Sequence, residues 1–425
     1  MRTTFLLILS LLFSQSVYAD TASKWFGGAG TLNTTANRYF MPMGGNQPNA
    51  TESAVYGLLT VAGNVTKMTA RVSLAPNNGG GTQTWTTTLR RNGTTATAAT
   101  CVISELETSC TFTGSAALSA NDLLTLEVAP ASTPAAAQFM WVIEFSSANH
   151  NAFLGGGGNA LSTTTTQYIA IHSDFSSLST VDAAGDSLMP LAGVFSDFCV
   201  RLTAAPGDTD TRTFTVAVNG TPDTTLQVVF GLADSGILCD NTGTITIADG
   251  DVVDIQSTMT GTPTVSNITF GLAFNPTTDG QFAILMTSVN ATSAAGVRFS
   301  HLSSISAVNA TEAVVQQVTT GDYEIQACRA LSVPAPDNGG GTQSYTVQLR
   351  DNGADASAPF TMAISEAATT ATATGTFTPT NLNLLGFEIT PASTPTSARV
   401  HVGCQGYITP TAAAGTSTLL LRGAN

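Results

Sequence analysis

The sequence predicts an all-β protein with three tandem antiparallel β-sandwich domains of jelly-roll type. The stretch APNNGGGTQTWTTTLRRNG begins at Ala75 and returns, almost unchanged, as APDNGGGTQSYTVQLRDNG at Ala335. A shortened copy, APGDTDTRTFTVAVNG, begins midway at Ala205, so the chain repeats a unit of about 130 residues. Apolar and polar residues alternate along short runs, and no run has a helical period. A chain of 425 residues suits three such units, since each can bury a core.

Each unit opens with the same succession of strands. An apolar or glycine-rich stretch comes first, and a strand centred on an aromatic residue follows it. The next strand ends at a proline, which cannot donate to a β-ladder and therefore ends the pairing. The opening stretches begin at Phe26, Phe153 and Phe282, the aromatic positions are Tyr39, Tyr168 and Phe299, and the prolines are Pro76, Pro206 and Pro336.

The repeated stretch itself reads as a turn and an alternating strand that ends in a hairpin. Trp85, Thr87 and Leu89 share one face of this strand, because successive residues point to opposite sides. An Asn-Gly pair closes the strand in every unit and favours the positive φ angles of a two-residue hairpin turn. The pairs are Asn92-Gly93, Asn219-Gly220 and Asn352-Gly353.

The second half of each unit adds three more strands, the last two separated by a proline turn. Alternation gives each strand one buried and one exposed face, so the simplest architecture is two antiparallel sheets packed face to face. Solenoids and propellers have shorter repeats, so we expect separate domains in a row, like beads on a string. The predicted ranges are a signal peptide at 1–19, domains at 20–148, 149–277 and 278–411, and an apolar tail at 412–425.

The first residues predict export. Arg2 gives a basic start, an apolar run extends from Phe5 to Phe13, and small residues around Ala19 form a cleavage signature before Asp20. The apolar run is too short to span a bilayer. We therefore expect a secreted protein, extracellular or at the cell surface, with no membrane span after signal removal.

Six cysteines, an even number, agree with an oxidising compartment and predict disulfide bonds. Each unit holds two of them, which favours pairing within the units and leaves a link between molecules as the alternative. No CxxC spacing or histidine cluster accompanies them, which disfavours a zinc site or a nucleophilic thiolate. The cysteines by unit are Cys101 and Cys110, Cys199 and Cys239, and Cys328 and Cys404.

Charge and composition restrict the classes of molecule that we expect this protein to bind. The formal net charge is −14 and only 10% of the residues are charged, which disfavours nucleic acid and anionic membranes as partners. The only lysines are Lys24 and Lys67. A weakly charged surface of Thr, Ser, Asn and Ala suits a glycan or close packing with further copies of the same chain.

The sequence predicts no catalytic constellation, no cofactor and no metal. GDSL at Gly185 contains a serine, Ser187, that resembles a hydrolase nucleophile, but the strand–serine–helix context is missing. Among the tryptophans, Trp85 is expected in the core, and Trp25 is the one expected to be free to stack on a sugar. The histidines occupy unrelated places in the repeat and are expected to be isolated on the surface: His150, His172, His301 and His401.

One acidic stretch is a candidate calcium-binding loop. ADGDVVD offers Asp249, Asp251 and Asp254 as oxygen ligands. The other units have Asp122 and Asn383 at the place of Asp251, which favours bonding of these side chains to their own turn.

The series RYF, ARVSLAP, GGGTQTWTTTLRRNG, CVISE, NDLLTLEV and PASTP resembles a tandem jelly-roll-like repeat of secreted bacterial and phage-related proteins of uncharacterised function. The resemblance covers nearly the whole mature chain in three copies. It implies a β-sandwich fold and a structural or surface role, and it implies no catalytic residues. The middle unit departs from the pattern at PGDTDTRT, which lacks the triple glycine, so we expect a different loop shape there.

The preferred hypothesis is a secreted, non-enzymatic structural protein that self-associates into a filament or surface layer through its sandwich edges. Leu419, Leu420 and Leu421 in the tail resemble the opening strand of a further unit, which could pair with the next molecule or fold back on its own unit. One alternative is a binding or adhesion module that recognises a glycan or a receptor through inter-strand loops such as 77–82 and 337–342. A virion-associated fibre protein is the other alternative.

Overall fold

The computed structural model describes residues 21–44, 48–77, 81–148, 150–157, 160–172, 178–207, 209–337, 339, 342–356 and 360–408. The predicted signal peptide and the predicted tail with Leu419, Leu420 and Leu421 lie outside these ranges. In the described part of the chain almost all regular structure is β-strand, which confirms the all-β class. The helices found there are single 3-10 turns at Glu52–Ala54, Asp182–Ala184 and Glu312–Val314.

The first repeat, called unit 1, forms two antiparallel sheets. Its strands are β1 Thr21–Thr31, β2 Arg38–Phe40, β3 Gly57–Leu58, β4 Gly63–Val72, β5 Thr84–Arg91, β6 Thr95–Ser104, β7 Ser109–Leu118, β8 Leu123–Ala131 and β9 Gln138–Ser147. One sheet has the order β1-β9-β4-β7, and the other has the order β2-β8-β5-β6 with β3 also paired to β8. Strands that alternate between two sheets in this order form a jelly-roll sandwich.

The second repeat, called unit 2, has the same plan. Its strands are β10 Asn151–Gly157, β11 Gln167–Ala170, β12 Ser187–Leu188, β13 Gly193–Leu202, β14 Thr211–Val218, β15 Thr221–Gly231, β16 Gly236–Asp240, β17 Ile245–Ile247, β18 Val252–Thr260 and β19 Ile268–Pro276. The sheet orders are β10-β19-β13-β16 and β11-β18-β14-β15, with β17 also on β13 and β12 also on β18.

The third repeat, called unit 3, differs only in small additions. Its strands are β20 Gln281–Ser288, β21 Arg298–His301, β22 Ser304–Ser306, β23 Gln317–Val318, β24 Glu324–Val333, β25 Ser344–Asp351, β26 Ala354–Asp355, β27 Thr361–Ser365, β28 Thr370–Phe377, β29 Leu384–Ala392 and β30 Arg399–Tyr407. The sheet orders are β22-β20-β30-β24-β28 and β21-β29-β25-β26, with β23 on β29 and β27 on β25. That each unit is a domain able to fold alone stays a prediction.

The predicted hairpin turns are confirmed. Asn92 and Gly93, between β5 and β6, have φ values of 54° and 75°, and the Asn-Gly pairs of the other two units also have positive φ. Positive φ at both positions matches the twist of the flanking strands. The predicted inward face of β5 is confirmed as well, because Trp85, Thr87 and Leu89 are all fully buried.

Aromatic and branched side chains fill the space between the two sheets of each unit. In unit 1 the rings of Phe40, Phe139 and Trp141 pack with centroids 5.0 to 5.4 Å apart. Each fully buried side chain of this kind contributes roughly 1.5–3 kcal/mol relative to an exposed one.

Three disulfide bonds pair the cysteines within the units. One bond joins β6 to β7 and therefore links the two sheets of unit 1. The other two join neighbouring strands of one sheet, β13 to β16 in unit 2 and β24 to β30 in unit 3. The bond in unit 3 spans 76 residues, so it restricts the unfolded chain most. The pairs are Cys101–Cys110, Cys199–Cys239 and Cys328–Cys404.

The three units contact one another in a closed ring, so the prediction of separate domains in a row is wrong. Strand β3 packs on β10 and β19 of unit 2, β12 packs on β20 and β30 of unit 3, and β23 packs on β1 and β9 of unit 1. Equivalent strands meet at each seam between two units. A head-to-tail contact of this kind closes when the rotation returns to its start, here after three units. One residue from each unit also meets at a common point: a Cβ on Gly44 would lie 2.8 Å from His172 O and 3.8 Å from Ser304 Cα.

At two of the seams, glycines allow the strands of neighbouring units to pack closely, because glycine has no Cβ. A Cβ on Gly271 would lie 2.1 Å from Leu58 O, and a Cβ on Gly403 would lie 2.1 Å from Leu188 O. These glycines occupy matching places on β19 and β30, and Val142 has that place on β9. The sequence carried a signal of this packing in the uninterrupted apolar run FMWVI of β9, because a strand exposed on one face would alternate.

Candidate functional site

Three of the four histidines are buried, so the expectation of isolated surface histidines is wrong. His172, His301 and His401 are at most 4% exposed, and His150 is partly exposed. Burial lowers the pKa of His172 and of His301 to about 4. Burial, with smaller effects of His172 and Arg399, lowers the pKa of His401 to about 3. All three imidazoles are therefore neutral at pH 7.

The GDSL serine lies beside one of these histidines inside a seam. Ser187 Oγ is 3.1 Å from His172 Nδ1, and both side chains are completely buried. Ser187 begins β12, which packs on unit 3. A hydrolytic serine must be exposed to a substrate. The hydroxyl of Ser187 instead bonds His172 Nδ1 inside the protein, on a strand that packs on unit 3.

The structure separates the three aspartates of ADGDVVD, so the calcium loop considered from the sequence is wrong. Asp251 Oδ2 accepts a hydrogen bond of 2.8 Å from Ala248 N, which confirms the bonding predicted for this turn. Asp249 forms an ion pair with Arg329 of unit 3. Asp254 lies on β18 and belongs to a different group of acids.

Asp254 forms an acidic cluster with Asp182 and Asp186. One carboxylate oxygen of each residue lies within 4.8 Å of the other two. Asp182 begins a 3-10 turn, Asp186 precedes β12, and β12 pairs with β18, so sheet pairing brings distant residues together. Asp254 is 1% exposed, whereas the other two are partly exposed. Sequence reasoning missed this cluster because no local motif contains its members.

Proximity and burial oppose ionisation of the cluster. Burial raises the pKa of Asp254 to about 9, and the charges of Asp182 and Asp186 act in the same direction. Burial and the charge of Asp182 raise the pKa of Asp186 to about 7, although Arg399 of unit 3 lowers it. Like charges this close disfavour one another unless a positive charge lies between them.

Units 1 and 3 have an arginine at the place where unit 2 has this cluster. In unit 1, Arg90 on β5 bonds Glu52 at 2.9 Å and Glu127 at 3.1 Å. In unit 3, Arg350 on β25 bonds Glu312 at 3.2 Å, and its guanidinium also lies 3.2 Å from a carboxylate oxygen on β29.

Unit 2 lacks this arginine. Arg90 faces Thr125 on the neighbouring strand, and Arg350 faces Gly386 in the same register. At the corresponding register of unit 2, Ala217 faces Asp254. The middle unit has thus lost a cation and gained a carboxylate at one buried place.

Both lysines of the chain converge on one aspartate at the seam between units 3 and 1. Lys24 Nζ lies 2.7 Å from Asp322 Oδ1 and 2.8 Å from Glu144 Oε2, and Lys67 Nζ lies 2.9 Å from Asp322 Oδ2. Burial raises the pKa of Asp322, but the charge and hydrogen bond of Lys24 lower it more, so the net pKa is below the usual range. The Lys24 side chain is fully buried, so its charge depends on these partners.

Three turns meet at one end of each sandwich, and we call this end the tip. In unit 1 the turns lie within 73–83, 104–108 and 131–137. The equivalent turns of units 2 and 3 meet in the same way, so each unit has one tip. Backbone bonds join the turns: Asn77 N to Glu105 O (2.9 Å), Ala135 N to Pro76 O (2.8 Å), Gly207 N to Leu232 O (3.1 Å), Thr264 N to Pro206 O (2.6 Å), Asp337 N to Glu366 O (3.0 Å) and Thr396 N to Pro336 O (2.9 Å).

The tips of units 1 and 2 carry exposed apolar side chains. Leu106 is 79% exposed and Leu232 is 59% exposed, and Leu74 and Val265 in the same turns are also exposed. Of the loops predicted to bind a ligand, 77–82 and 337–342, the structure describes residues 77, 81–82, 337, 339 and 342, which belong to the tips; 78–80, 338 and 340–341 lie outside the described residues.

The expectation that Trp25 is free to stack on a sugar is wrong. Its side chain is fully buried, its Nε1 donates to Ala152 O of unit 2 at 2.9 Å, and its ring stacks on Phe145 at 4.9 Å. Trp25 therefore holds the seam between units 1 and 2.

No protein-family model matches the chain, and no curated protein matches its sequence. In the described ranges, no helix has the length and apolar character that a membrane crossing needs.

Proposed function

We propose that this is a secreted, non-enzymatic binding protein that presents three related jelly-roll tips, one from each unit of a closed ring. The observation that carries the proposal is the ring itself. Closure uses the head-to-tail seam within one chain, so the tips and the outer strands are left to contact other molecules. The buried serine and histidines fit this role, because they contribute to seams and not to an open cleft.

The chemistry of the tips favours a protein receptor over a glycan. Sugar sites commonly use an exposed aromatic platform, and Trp25, the tryptophan expected to provide one, is buried. Leu106 and Leu232 instead offer aliphatic anchors among turns with polar side chains. Apolar residues within a polar rim are typical of protein interfaces.

Three tips on one molecule also permit multivalent attachment. If each tip binds weakly, a second contact on the same surface becomes intramolecular, and avidity can exceed the single affinity by about 10²–10⁴. The tips differ in sequence, so their affinities for one partner are expected to differ.

Self-assembly into a filament or surface layer is the second candidate. In the described ranges, strands β7, β16 and β28 each have a ladder partner on one side only and are edge strands of their sheets. Unpaired edges can add a strand from another molecule. A virion-associated fibre would be one form of such an assembly.

Sedimentation and negative-stain microscopy of residues 20–425 separate the two candidates. The binding proposal expects monodisperse single chains at high concentration. Polymers that disappear when 412–425 is deleted would contradict it and support assembly.

A binding screen then tests the tips directly. Labelled protein is applied to an array of glycans and a panel of extracellular proteins. Leu106→Ser with Leu232→Ser is expected to reduce binding at least tenfold, whereas Val181→Ser is expected to leave it unchanged. Val181 is a matched control because it is 46% exposed and precedes the 3-10 turn beside the Asn219-Gly220 hairpin, at the opposite end of β14 from the tip. Binding that survives the double substitution would refute the role of the tips.

A further inference from the structure

The acidic cluster of unit 2 departs from an arrangement that units 1 and 3 share. In units 1 and 3 a guanidinium lies between carboxylates that come from the 3-10 turn and from the sheet. In unit 2 the 3-10 turn still supplies an acid, Asp182, but Ala217 leaves the place of the guanidinium without a positive side chain. Unit 2 has Gln256 at the place of Glu127 and Glu388, and its carboxylates at this place come from Asp182, Asp186 and Asp254.

We propose that Asp182, Asp186 and Asp254 bind a calcium-type divalent cation at the place that an arginine occupies in the other two units. Three carboxylates whose oxygens lie within 4.8 Å of one another can approach one ion at the 2.3–2.6 Å typical of Ca²⁺–oxygen bonds. All three residues offer oxygen, the ligand that hard cations prefer.

The burial of one carboxylate oxygen without a hydrogen-bond donor supports the proposal independently of the number of charges. Asp254 is 1% exposed, and no donor group among the described residues bonds its Oδ1 or the Oδ1 of Asp182. The polar contact that the Asp254 carboxyl group makes is with the carboxyl group of Asp182, another acid. A buried carboxylate oxygen without a donor is costly, and a bound cation would remove this cost for both residues.

The position of the cluster indicates that a bound ion would stabilise the seam between units 2 and 3. Asp186 lies at the seam between units 2 and 3, where its backbone oxygen accepts a hydrogen bond of 2.5 Å from Thr287 Oγ1. Arg399 of unit 3 is the positive side chain that acts on Asp186 from across the seam. A cation bound by all three aspartates would fix the 3-10 turn and β18 to β12, the strand that packs on unit 3 at that seam.

Calcium titration of residues 20–425 after removal of metals with EDTA tests the proposal. We expect calorimetry to show one Ca²⁺ bound per chain, and saturating Ca²⁺ to raise Tm by several degrees, since a ligand that binds only the folded state stabilises it. Mg²⁺ is expected to give a smaller shift, because it releases its water ligands reluctantly. No calcium binding, or an equal shift with Mg²⁺, would overturn the assignment.

Two substitutions and one control locate the ion. Asp254→Asn should abolish both the calcium binding and the Tm shift. Ala217→Arg should restore the guanidinium of the other units, and therefore raise the metal-free Tm and remove the response to calcium. Asp279→Asn removes the same charge from an exposed turn and should leave the response intact. If Asp254→Asn or Ala217→Arg folds and keeps the calcium response, the cluster is not the site. Tip binding is measured separately, so failure here leaves the proposed function standing.

Discussion

At the scale of single residues, polar groups inside the seams decide how this protein responds to pH. His172, His301 and His401 are neutral in the folded state because burial depresses their pKa, whereas an unfolded chain titrates histidine near 6.5. The unfolded state therefore binds more protons between the folded pKa and about 6.5. Stability is fully present above this window and is lost as the pH falls through it.

Substitution of one histidine makes this testable. His401→Leu replaces a fully buried imidazole by an apolar side chain of similar size. Between pH 4 and 6.5 we expect the slope of unfolding free energy against pH to fall by about 1.4 kcal/mol per pH unit. The acidic cluster contributes a slope of opposite sign, but it is the same in both proteins. Urea unfolding at a series of pH values measures the difference, and parallel curves would contradict it.

The buried ammonium of Lys24 gives a second prediction at this scale. Asp322→Asn removes one of its two carboxylate partners and the partner of Lys67. We expect a loss of roughly 1–3 kcal/mol of unfolding free energy, because a buried charge left with fewer partners is costly. Asp279→Asn, on an exposed turn, should change stability little. Equal stability of the two variants at pH 7 would show that the ion network does not hold the seam.

At the scale of strands and turns, sequence patterns predict features that lie within one hairpin or one repeat, and they do not predict contacts between distant elements. The Asn-Gly turns, the inward face of β5 and the cysteine pairs could all be predicted, because each depends on residues in one hairpin or one repeat. The role of Trp25 could not, since its partner Ala152 belongs to another unit. The acidic cluster could not either, because its members come from elements that only the sheet brings together.

The glycines of the seams give a prediction for elements. Gly403→Ala places a Cβ against Leu188 O, a backbone atom that cannot rotate away. We expect β30 and β12 to separate slightly, with a loss of about 1–3 kcal/mol, the usual cost of overpacking. Gly296→Ala is the control, because a Cβ there meets nothing closer than 4.0 Å. Thermal unfolding compares the two, and a Tm as high for Gly403→Ala as for Gly296→Ala would refute the tight seam.

At the scale of the whole molecule, three copies of one fold act as the three subunits of a ring would. A ring within a single chain lets each seam have its own chemistry. The seam between units 1 and 2 contains Trp25, the seam between units 2 and 3 contains Asp249 and Arg329, and the seam between units 3 and 1 contains Lys24 and Asp322. A ring of identical subunits could not differentiate its seams in this way.

Small-angle X-ray scattering of residues 20–425 tests ring closure most directly. A compact chain of this length has a radius of gyration of about 22 Å, whereas three sandwiches in an extended row would have a value at least half as large again. We expect the compact value, a single-peaked distance distribution, and no change on dilution. A radius of gyration that matches the extended row, with a long tail in the distance distribution, would contradict the closed ring and the functional proposal that rests on it.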